Sequence, residues 1–282
     1  GVATAVAMGG PGAVLWMWLT GVFGIATKYA EALLSVKYRV TTKDGSMAGG
    51  PMYVIERGMN NKPLAVIFAA MTAIAAFGIG NTVQSNSIAA LMKETFHVSP
   101  WITGVVLTVI TAVVILGGIR SIARSCEKLV PLMAVFYVIG CAILLVMGWR
   151  QIPDTLLLIV RSAFTGHAAI GGFAGAGIKE ALRFGVARGL FSNESGMGSA
   201  PIVAAAAQTR NPVRQALVSS TGTFWDTVVV CAMTGLVLVN SGEWVKGLNG
   251  ASLTKAAFQD IPWVGPAVLT GGLLTFVFST IL

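Results

Sequence analysis

The stretch from Gly189 to Pro201 combines residue types whose chemistry does not suit an unbroken apolar helix. It reads Gly-Leu-Phe-Ser-Asn-Glu-Ser-Gly-Met-Gly-Ser-Ala-Pro and lies in a predominantly apolar chain. Irregular backbone at membrane depth is tolerated only where it is buried in protein or lines a cavity. An interrupted helix offers N–H groups that suit a carboxylate at one end and C=O groups that suit an ammonium or Na⁺ at the other. Small residues could instead serve helix packing, but Asn193, Glu194 and Pro201 together favour an interruption.

A second polar cluster lies inside the apolar run 63–92. Its amides and hydroxyls belong to Asn81, Thr82, Gln84, Ser85, Asn86 and Ser87. Asn81, Gln84 and Ser87 are spaced at three residues and therefore share a helix face. Phe77 precedes Asn81 by one turn. These amides could bind a small polar solute, or they could bond a neighbouring helix, and the sequence leaves both interpretations open.

Further groups at membrane depth could hold a cation. Asp226 is a lone acid within the predicted span 213–240. Because intramembrane carboxylates are costly, a functional role is the default hypothesis for Asp226 and for Glu194; pairing with a basic residue or a helix terminus is the alternative for Asp226. Ser279 and Thr280 are adjacent hydroxyls that could supply oxygen ligands to Na⁺, although such hydroxyls more often bond back to their own helix.

The motifs of several other chemistries are missing from the sequence. Ser195 lies in Asn-Glu-Ser-Gly-Met, which is not the GxSxG pattern of a serine hydrolase. The two histidines, His97 and His167, form no HExxH motif, and neither a P-loop nor a CxxC pair occurs. We therefore predict no catalytic residues and no cofactor.

The elements that position these residues follow from composition. The chain is 55% hydrophobic and only 11% charged, whereas soluble domains are about a quarter charged. Five runs, 1–27, 63–92, 98–119, 129–149 and 261–282, contain no charged residue or histidine, and roughly 20 apolar residues span a bilayer. The net charge of +8 comes from Lys and Arg between these runs, where they act as topology signals and not as a nucleic-acid surface. The sequence predicts an all-α polytopic membrane protein.

We predict a single transmembrane domain over 1–282. Its segments are expected at 1–9, 12–38, 64–92, 101–119, 129–148, 190–207, 213–240 and 264–282. The basic loops 37–62, 120–128 and 210–214 are expected on the cytoplasmic side by the positive-inside rule. Since both ends lie inside apolar runs, we expect the domain to be truncated at both ends.

Several motifs resemble, in order and spacing, those of one family. They are Gly-Gly-Pro-Gly-Ala at 9–13, Trp-Met-Trp at 16–18, Ala-Thr-Lys-Tyr-Ala-Glu at 26–31, Ala-Gly-Gly-Pro-Met-Tyr at 48–53, Gly-Asn-Thr-Val-Gln-Ser-Asn at 80–86, the stretch 188–201, and Phe-Ser-Thr-Ile-Leu at 278–282. Over essentially its whole length the chain is similar to the alanine or glycine:cation symporter family, the sodium:alanine symporters. Ser195 departs from that family's pattern, in which Ala is frequent.

The resemblance implies a leucine-transporter-like five-plus-five inverted repeat, here with about seven to eight transmembrane segments present. In that scheme 1–9 is the end of helix one, 190–207 is the broken helix six, and 264–282 is the start of helix eight. The implied function is sodium-coupled symport of small neutral amino acids, alanine or glycine, by alternating access in the inner membrane of a prokaryote. An uncoupled permease or channel, or a membrane-embedded enzyme, is the alternative.

The resemblance also implies which residues form the site. Substrate-binding residues are implied at Phe77, Asn81, Gln84, Ser192, Asn193, Gly196, Met197 and Gly198, and a sodium site at Ser279 and Thr280. Met197 and an aromatic lid would select a small side chain by overpacking larger ones. The implied partners are a small amino acid, Na⁺ and the lipid bilayer.

Overall fold

The computed structural model describes residues 1–43, 45–78, 82–165, 177–258 and 271–272, without the side chains of residues 119 and 120. This part of the chain is predominantly helical, in agreement with the predicted all-α class. In chain order the helices are α1 (Val2–Gly9), α2 (Ala13–Tyr38), α3 (Pro51–Gly58), α4 (Lys62–Ala76), α5 (Thr82–Phe96), α6 (Pro100–Leu116), α7 (Gly118–Met147), α8 (Ile152–Thr165), α9 (Ile178–Asn193), α10 (Ala200–Ala205), α11 (Pro212–Thr223), α12 (Ala232–Asn240) and α13 (Gly250–Phe258). A π-helix, Phe224–Cys231, joins α11 to α12. Short 3₁₀ turns cover Trp149–Gln151 and Glu243–Lys246.

A small antiparallel ribbon follows α2. Strand β1 (Val40–Thr41) pairs with β2 (Met47–Ala48), so that Val40 lies opposite Ala48. The ribbon leads to Gly50, whose φ of +119° is open only to glycine without strain. Pro51 then begins α3 at the first helical position, where its missing N–H costs nothing.

The chain forms two compact units. The first covers Gly1–Ala75, Leu158–Ala169 and Phe173–Ala232, and the second covers Ala76–Leu157, Ile170–Gly172 and Met233–Leu282. Each unit therefore draws on distant parts of the sequence, and each is described by itself.

In the first unit, α2 is the central helix. It packs against α1, α3, α9, α10, α11 and the π-helix. The face of α9 that it meets is made of small residues at every fourth position, Ala181, Gly185 and Gly189, followed by Asn193. A Cβ on Gly185 would lie 2.5 Å from the carbonyl oxygen of Ala13, and one on Gly189 would clash with the hydroxyl of Thr20. The two helices cross closely because these positions have no side chain, as in small-residue packing between membrane helices.

In the second unit, α5 packs against α6 and α13, and α6 packs against α7. The Tyr137 hydroxyl lies 2.8 Å from Thr234 Oγ1, and its ring stacks on Phe258 at 5.9 Å between centroids. Thr155 Oγ1 donates to Asn240 Oδ1 at 2.9 Å. Polar side chains therefore bond between helices of this unit.

Apolar side chains cover the exposed surface of α6. Trp101 and Leu116, at its two ends, are 85% and 86% exposed, and Val105, Val109 and Val113 are exposed between them. A helix with this surface is unfavourable in water and suits a lipid environment. By length and composition, the helices Ser121–Met147 and Pro212–Asn240 could cross a membrane, and α4 and α6 are shorter apolar helices.

Several segments differ in their bounds from those expected. Helix α2 closely matches 12–38, but the segment 64–92 contains two helices, α4 and α5, with residues 79–81 outside the described part. The loop expected at 120–128 is helical, because α7 starts at Gly118. Ala, Arg, Glu and Lys within that stretch are good helix formers, so the polar residues extend the helix. Of 264–282, only residues 271 and 272 are described.

Candidate functional site

The chain between α9 and α10 leaves the helical conformation for six residues, Glu194 to Ser199. Glu194 ends α9 in the left-handed region at φ 54°, and its N–H donates to Leu190 O at 2.9 Å. Gly196 and Gly198 also have positive φ, 82° and 80°. Residues other than glycine rarely adopt this conformation. The glycines predicted to interrupt the helix therefore lie where the backbone turns.

Side chains of the interruption hold its own backbone. The Asn193 amide oxygen accepts from the Ser195 N–H at 3.0 Å, and Asn193 and Ser195 are both buried. Ser199 Oγ donates to Glu194 Oε2 at 2.8 Å. These bonds close the turn locally, which is the usual role of short polar side chains at helix ends. Glu194 thus has a structural partner in addition to any role in binding.

Asp226 lies at the centre of a second group of polar atoms. Its Oδ2 accepts from Ser192 Oγ at 2.8 Å and from Thr227 Oγ1 at 2.8 Å. Ser192 Oγ is also 3.3 Å from Cys231 Sγ. Asp226, Thr227 and Cys231 belong to the π-helix, a conformation found frequently at functional sites. The last turn of α9 and the π-helix therefore meet through one carboxylate.

Helix α2 contacts both sides of the interruption through one stripe of residues. Lys28 Nζ donates to the main-chain oxygen of Asn193 at 2.9 Å. Ser35 Oγ donates to Pro201 O. Arg39 donates to Ala205 O at 3.0 Å, to Ala207 O at 2.6 Å and to Thr209 O at 2.8 Å. The C-terminal end of α9 and two residues of α10, Pro201 and Ala205, are thus bonded to α2 and to Arg39, which directly follows it.

The same stripe continues toward the N-terminus of α2 as glycines. A Cβ on Gly24 would lie 3.0 Å from Ser195 Oγ and 3.4 Å from Asn193 Nδ2, and one on Gly21 would lie 2.7 Å from Thr227 Cγ2. The spacing of Gly21, Gly24, Lys28 and Ser35 keeps them on one face of the helix, and Arg39 follows the last helical residue, Tyr38. The stripe gives the interruption close backbone contact at one end and hydrogen-bond donors at the other.

Some buried polar atoms of the first unit lack a hydrogen-bond partner within the described part of the chain. They are Glu31 Oε2, Ser162 Oγ, Asn193 Nδ2, Ser195 Oγ and Thr223 Oγ1. An unpaired buried polar atom costs about 1–3 kcal/mol. Two of these atoms, on Asn193 and Ser195, lie beside the interruption, which therefore retains unused hydrogen-bonding capacity.

The predicted site residues fall into three groups. Ser192, Asn193, Glu194, Gly196, Met197, Gly198 and Asp226 belong to the first unit and lie at the interruption or bonded to it. Phe77 and Gln84 belong to the second unit, where Phe77 is 84% exposed and Gln84 is buried with Oε1 unpaired among described residues. Asn81, Ser279 and Thr280 lie outside the described residues.

Two hydroxyls near Gln84 are used within their own helix. Ser87 Oγ donates to Val83 O at 2.8 Å, and Thr82 Oγ1 donates to Gly78 O. Back-bonding of this kind is common for hydroxyls in helices. Gln84 Oε1 is thus a buried atom with unused bonding capacity among the described residues, while Thr82 and Ser87 serve local structure.

Sequence reasoning missed the residues that contact the interruption from α2 and the π-helix. They are Gly21, Gly24, Lys28, Ser35, Arg39, Thr227 and Cys231. The signal for the residues at 21, 24, 28, 35 and 39 was present as spacings of three, four, seven and four residues between small and polar side chains.

An all-helical chain with apolar helices and a polar helix interruption has the features of a membrane transporter. The comparisons place it more closely. The model of the sodium:alanine symporter family matches residues 1–282, and the chain belongs to this family.

Among curated proteins, similar ones come from bacteria and archaea. An uncharacterized transporter of Haemophilus influenzae and a sodium/alanine symporter of Methanococcus maripaludis are each 51% identical over the whole chain. A probable sodium/glutamine symporter of Bacillus subtilis is 37% identical over 92% of the chain and 53% of its own length. The chain spans 63% of the length of each of the first two relatives.

Proposed function

We propose that this chain is part of a secondary active transporter that moves a small neutral amino acid, alanine or glycine, together with Na⁺ across the cell membrane of a prokaryote. The observation that carries the proposal is the interruption between α9 and α10, with buried polar groups and free bonding capacity beside it. Membership of the sodium:alanine symporter family supports cation coupling. Transport of this kind requires binding and a change of conformation, and no covalent chemistry.

The proposed architecture is the leucine-transporter-like five-plus-five inverted repeat, in which alternating access occurs by rocking of one helix bundle against the other. In this proposal α1 is the end of the first helix, and α9 and α10 are the two halves of the sixth. The strong hydrogen bonding of both halves to α2 supports it, because it lets an irregular segment persist among apolar helices.

The proposed substrate site is formed by the residues of the interruption. Ser192, Asn193, Gly196, Met197 and Gly198 would bind the amino acid. For Phe77, Asn81 and Gln84 a substrate-binding role is proposed from the family resemblance. Two features support this assignment. The amide nitrogen of Asn193 and the amide oxygen of Gln84 are buried and lack partners among described residues. Met197 is partly exposed, so that its side chain can limit the size of the substrate.

The proposed Na⁺ ligands are Ser279 and Thr280. A role in cation binding is proposed separately for the group around Asp226. The oxygens of Ser192 and Thr227 each lie 2.8 Å from Asp226 Oδ2. A carboxylate with two hydroxyls is a ligand set that hard cations prefer. Since an isolated intramembrane carboxylate is costly, a bound Na⁺ would offset the charge of Asp226.

Uptake into proteoliposomes tests the proposal. The full-length protein, reconstituted with an inward Na⁺ gradient, should accumulate alanine or glycine above equilibrium, and K⁺ in place of Na⁺ should abolish accumulation. Uptake that is indifferent to the Na⁺ gradient would instead indicate an uncoupled permease or channel. Conversion of the amino acid without net movement would indicate a membrane-embedded enzyme.

Two substitutions test the assigned residues in the same assay. Ser192→Ala leaves Asp226 with one donor fewer, and we expect the half-saturating alanine concentration to rise roughly tenfold, as for loss of one buried hydrogen bond. Asp226→Asn removes the charge at nearly constant shape, and the half-saturating Na⁺ concentration should rise by a similar factor. Thr221→Val and Asp154→Asn, at exposed positions, serve as matched controls. Kinetics equal to those of the controls would remove Ser192 and Asp226 from the site.

A further inference from the structure

Lys28 is a charged residue in the interior of the predicted transmembrane segment 12–38. It lies ten residues before Tyr38, the last residue of the 26-residue helix α2, and it is half-buried. Lysine within a membrane helix is costly and marks a functional site by default. Lys28 was not among the residues that sequence reasoning assigned to the site, and its role is open.

The ammonium of Lys28 is bound at the end of the broken helix. Its Nζ donates to the main-chain oxygen of Asn193 at 2.9 Å, and Asn193 is the last residue of α9. Carbonyl oxygens in the last turn of a helix accept no hydrogen bond from N–H groups of the same helix, and they carry the negative end of the helix dipole. A half-helix C-terminus of this kind attracts cations. The Lys28 ammonium therefore occupies a position that also suits Na⁺.

Three carboxylates act electrostatically on this ammonium, and among the described residues none of them forms an ion pair with it. Its charge interacts with those of Glu194, Glu31 and Asp226. Among the described residues, ion pairs join Arg183 to Glu180 and Lys246 to Glu243, and Lys28 is in neither. The lysine is thus bound to a neutral carbonyl while acidic groups lie within its electrostatic reach.

Glu31 offers a second position for the ammonium. It follows Lys28 by three residues on the same helix, a spacing at which side chains meet. Its Oε2 is buried and has no hydrogen-bond partner within the described part of the chain. A buried carboxylate oxygen left unpaired is costly. Movement of the Lys28 ammonium from Asn193 O to Glu31 would satisfy it.

We propose that Lys28 is a positioning residue with two alternative partners, and that Na⁺ binding at the C-terminal end of α9 displaces its ammonium from Asn193 O to Glu31. This inference rests on the proposed function, since it concerns the same coupling ion. Lys28 competes with Na⁺ in one position, and Glu31 receives the displaced ammonium in the other. The pair therefore sets the apparent affinity for Na⁺ without itself binding the amino acid.

The two residues have opposite predicted effects. Lys28→Met removes the competitor, so the half-saturating Na⁺ concentration should fall about fivefold or more, within the range of coupling between linked sites. Glu31→Gln removes the acceptor of the displaced ammonium, so the half-saturating Na⁺ concentration should rise about fivefold. In the double variant no ammonium competes for Asn193 O, so the loss of Glu31 has no further effect and the half-saturating Na⁺ concentration should equal that of Lys28→Met.

The measurement is the Na⁺-dependent rise in melting temperature of the purified full-length protein in detergent, without amino acid. Lys37→Met is the matched control, because Lys37 lies on the same helix with an exposed side chain, and it should leave the Na⁺ titration unchanged. The melting temperature without Na⁺ reports any loss of folding separately. Shifts of the same sign for the two single variants, no shift in either, or additive effects in the double variant would overturn the proposal.

The result of the Na⁺ titration can be distinguished from the result of the uptake assay that tests the proposed function. If Na⁺ raises the melting temperature with the predicted opposite shifts, the Lys28 inference holds even where uptake proves independent of the Na⁺ gradient. If uptake is Na⁺-driven but the two single variants titrate like the wild type, the inference is wrong and the proposed function stands.

Discussion

The two halves of the interrupted helix are attached to α2 by different forces. Helix α9 contacts α2 through Gly185 and Gly189, where any Cβ would meet atoms of α2. Helix α10 is attached by directional hydrogen bonds, from Ser35 to Pro201 O and from Arg39 to carbonyls at and beyond its end. The body of α9 is therefore held by shape, with the bond from Lys28 at its end, whereas α10 is held by polar contacts.

This difference has a physical consequence. A steric fit between close-packed backbones has no substitute, because an added atom must displace a helix. A hydrogen bond to a carbonyl can be exchanged for one to water wherever water reaches it, at a net cost of about 1 kcal/mol. We therefore expect substitutions in the contact between α9 and α2 to lower stability more than those in the contact between α10 and α2. We also expect α10 to be the half that can separate from α2.

The largest effect is expected for Gly185→Val. The new Cβ would lie 2.5 Å from Ala13 O and 2.7 Å from Trp16 Cβ, so that α2 and α9 must separate. We expect destabilisation of about 3 kcal/mol or more. The observable is a loss of melting temperature and of monodisperse protein in detergent.

Gly222→Val is the matched control for Gly185→Val. Gly222 also lies in a helix, but a Cβ there would meet no atom within 4 Å among the described residues. Because Val has a better helix propensity than Gly, this variant should be at least as stable as the wild type. Equal losses of melting temperature in the two variants would show that the close packing of α2 on α9 does not determine the stability of the protein.

A smaller effect is expected for Arg39→Met. Its guanidinium supplies three hydrogen bonds to carbonyls of Ala205, Ala207 and Thr209. We expect a loss of roughly 2–3 kcal/mol, since bonds from a charged donor are stronger than neutral ones. Amide hydrogen exchange should rise in α10 and residues 206–209 but not in α9.

Arg57→Met provides the comparison for Arg39→Met, because Arg57 is an exposed arginine of the same unit. Exchange in α10 should be unaltered in this variant. If substitution of Arg39 raised amide hydrogen exchange equally in α9 and α10, the two halves would behave as one element. The proposed difference between them would then be wrong.

The smallest effect is expected where α2 meets the turn itself. In Gly24→Ala the new Cβ would lie 3.0 Å from Ser195 Oγ, which calls for a small shift and costs about 1 kcal/mol. Ser195→Ala removes this oxygen, which has no partner among the described residues, and should leave stability equal or slightly higher. The double variant should therefore lose less than the sum of the single variants. Strict additivity in melting temperature would indicate that the two positions are not in contact.

The location of the interruption could be predicted from the sequence. Glycines at 196 and 198 and Pro201 have conformational preferences that act locally, and these residues lie where α9 ends and α10 begins. What contacts the interruption could not be predicted in the same way. Lys28 and Arg39 are more than 150 residues distant along the chain, and their roles depend on packing that no local preference encodes.

Hydropathy alone also misplaced two boundaries. The predicted segment 64–92 holds parts of two helices, α4 and α5, because hydropathy averaged over a run does not mark where one helix ends. The basic stretch 120–128 was expected as a loop but continues α7. Long basic side chains can extend away from an apolar surface while their backbone stays helical. A cluster of charged residues therefore indicates that a helix has reached water. It indicates less reliably that the helix ends there.

The bonds from Arg39 reach main-chain oxygens and no side-chain atoms of the segment they hold. Recognition of this kind is indifferent to which amino acid supplies the carbonyl. Over evolutionary time, positions 207 and 209 are therefore free to drift among residues that keep the local backbone, whereas an exchange of the arginine would be purged by selection. A sequence comparison of homologous symporters should find variation at positions 207 and 209 and a constant arginine at position 39.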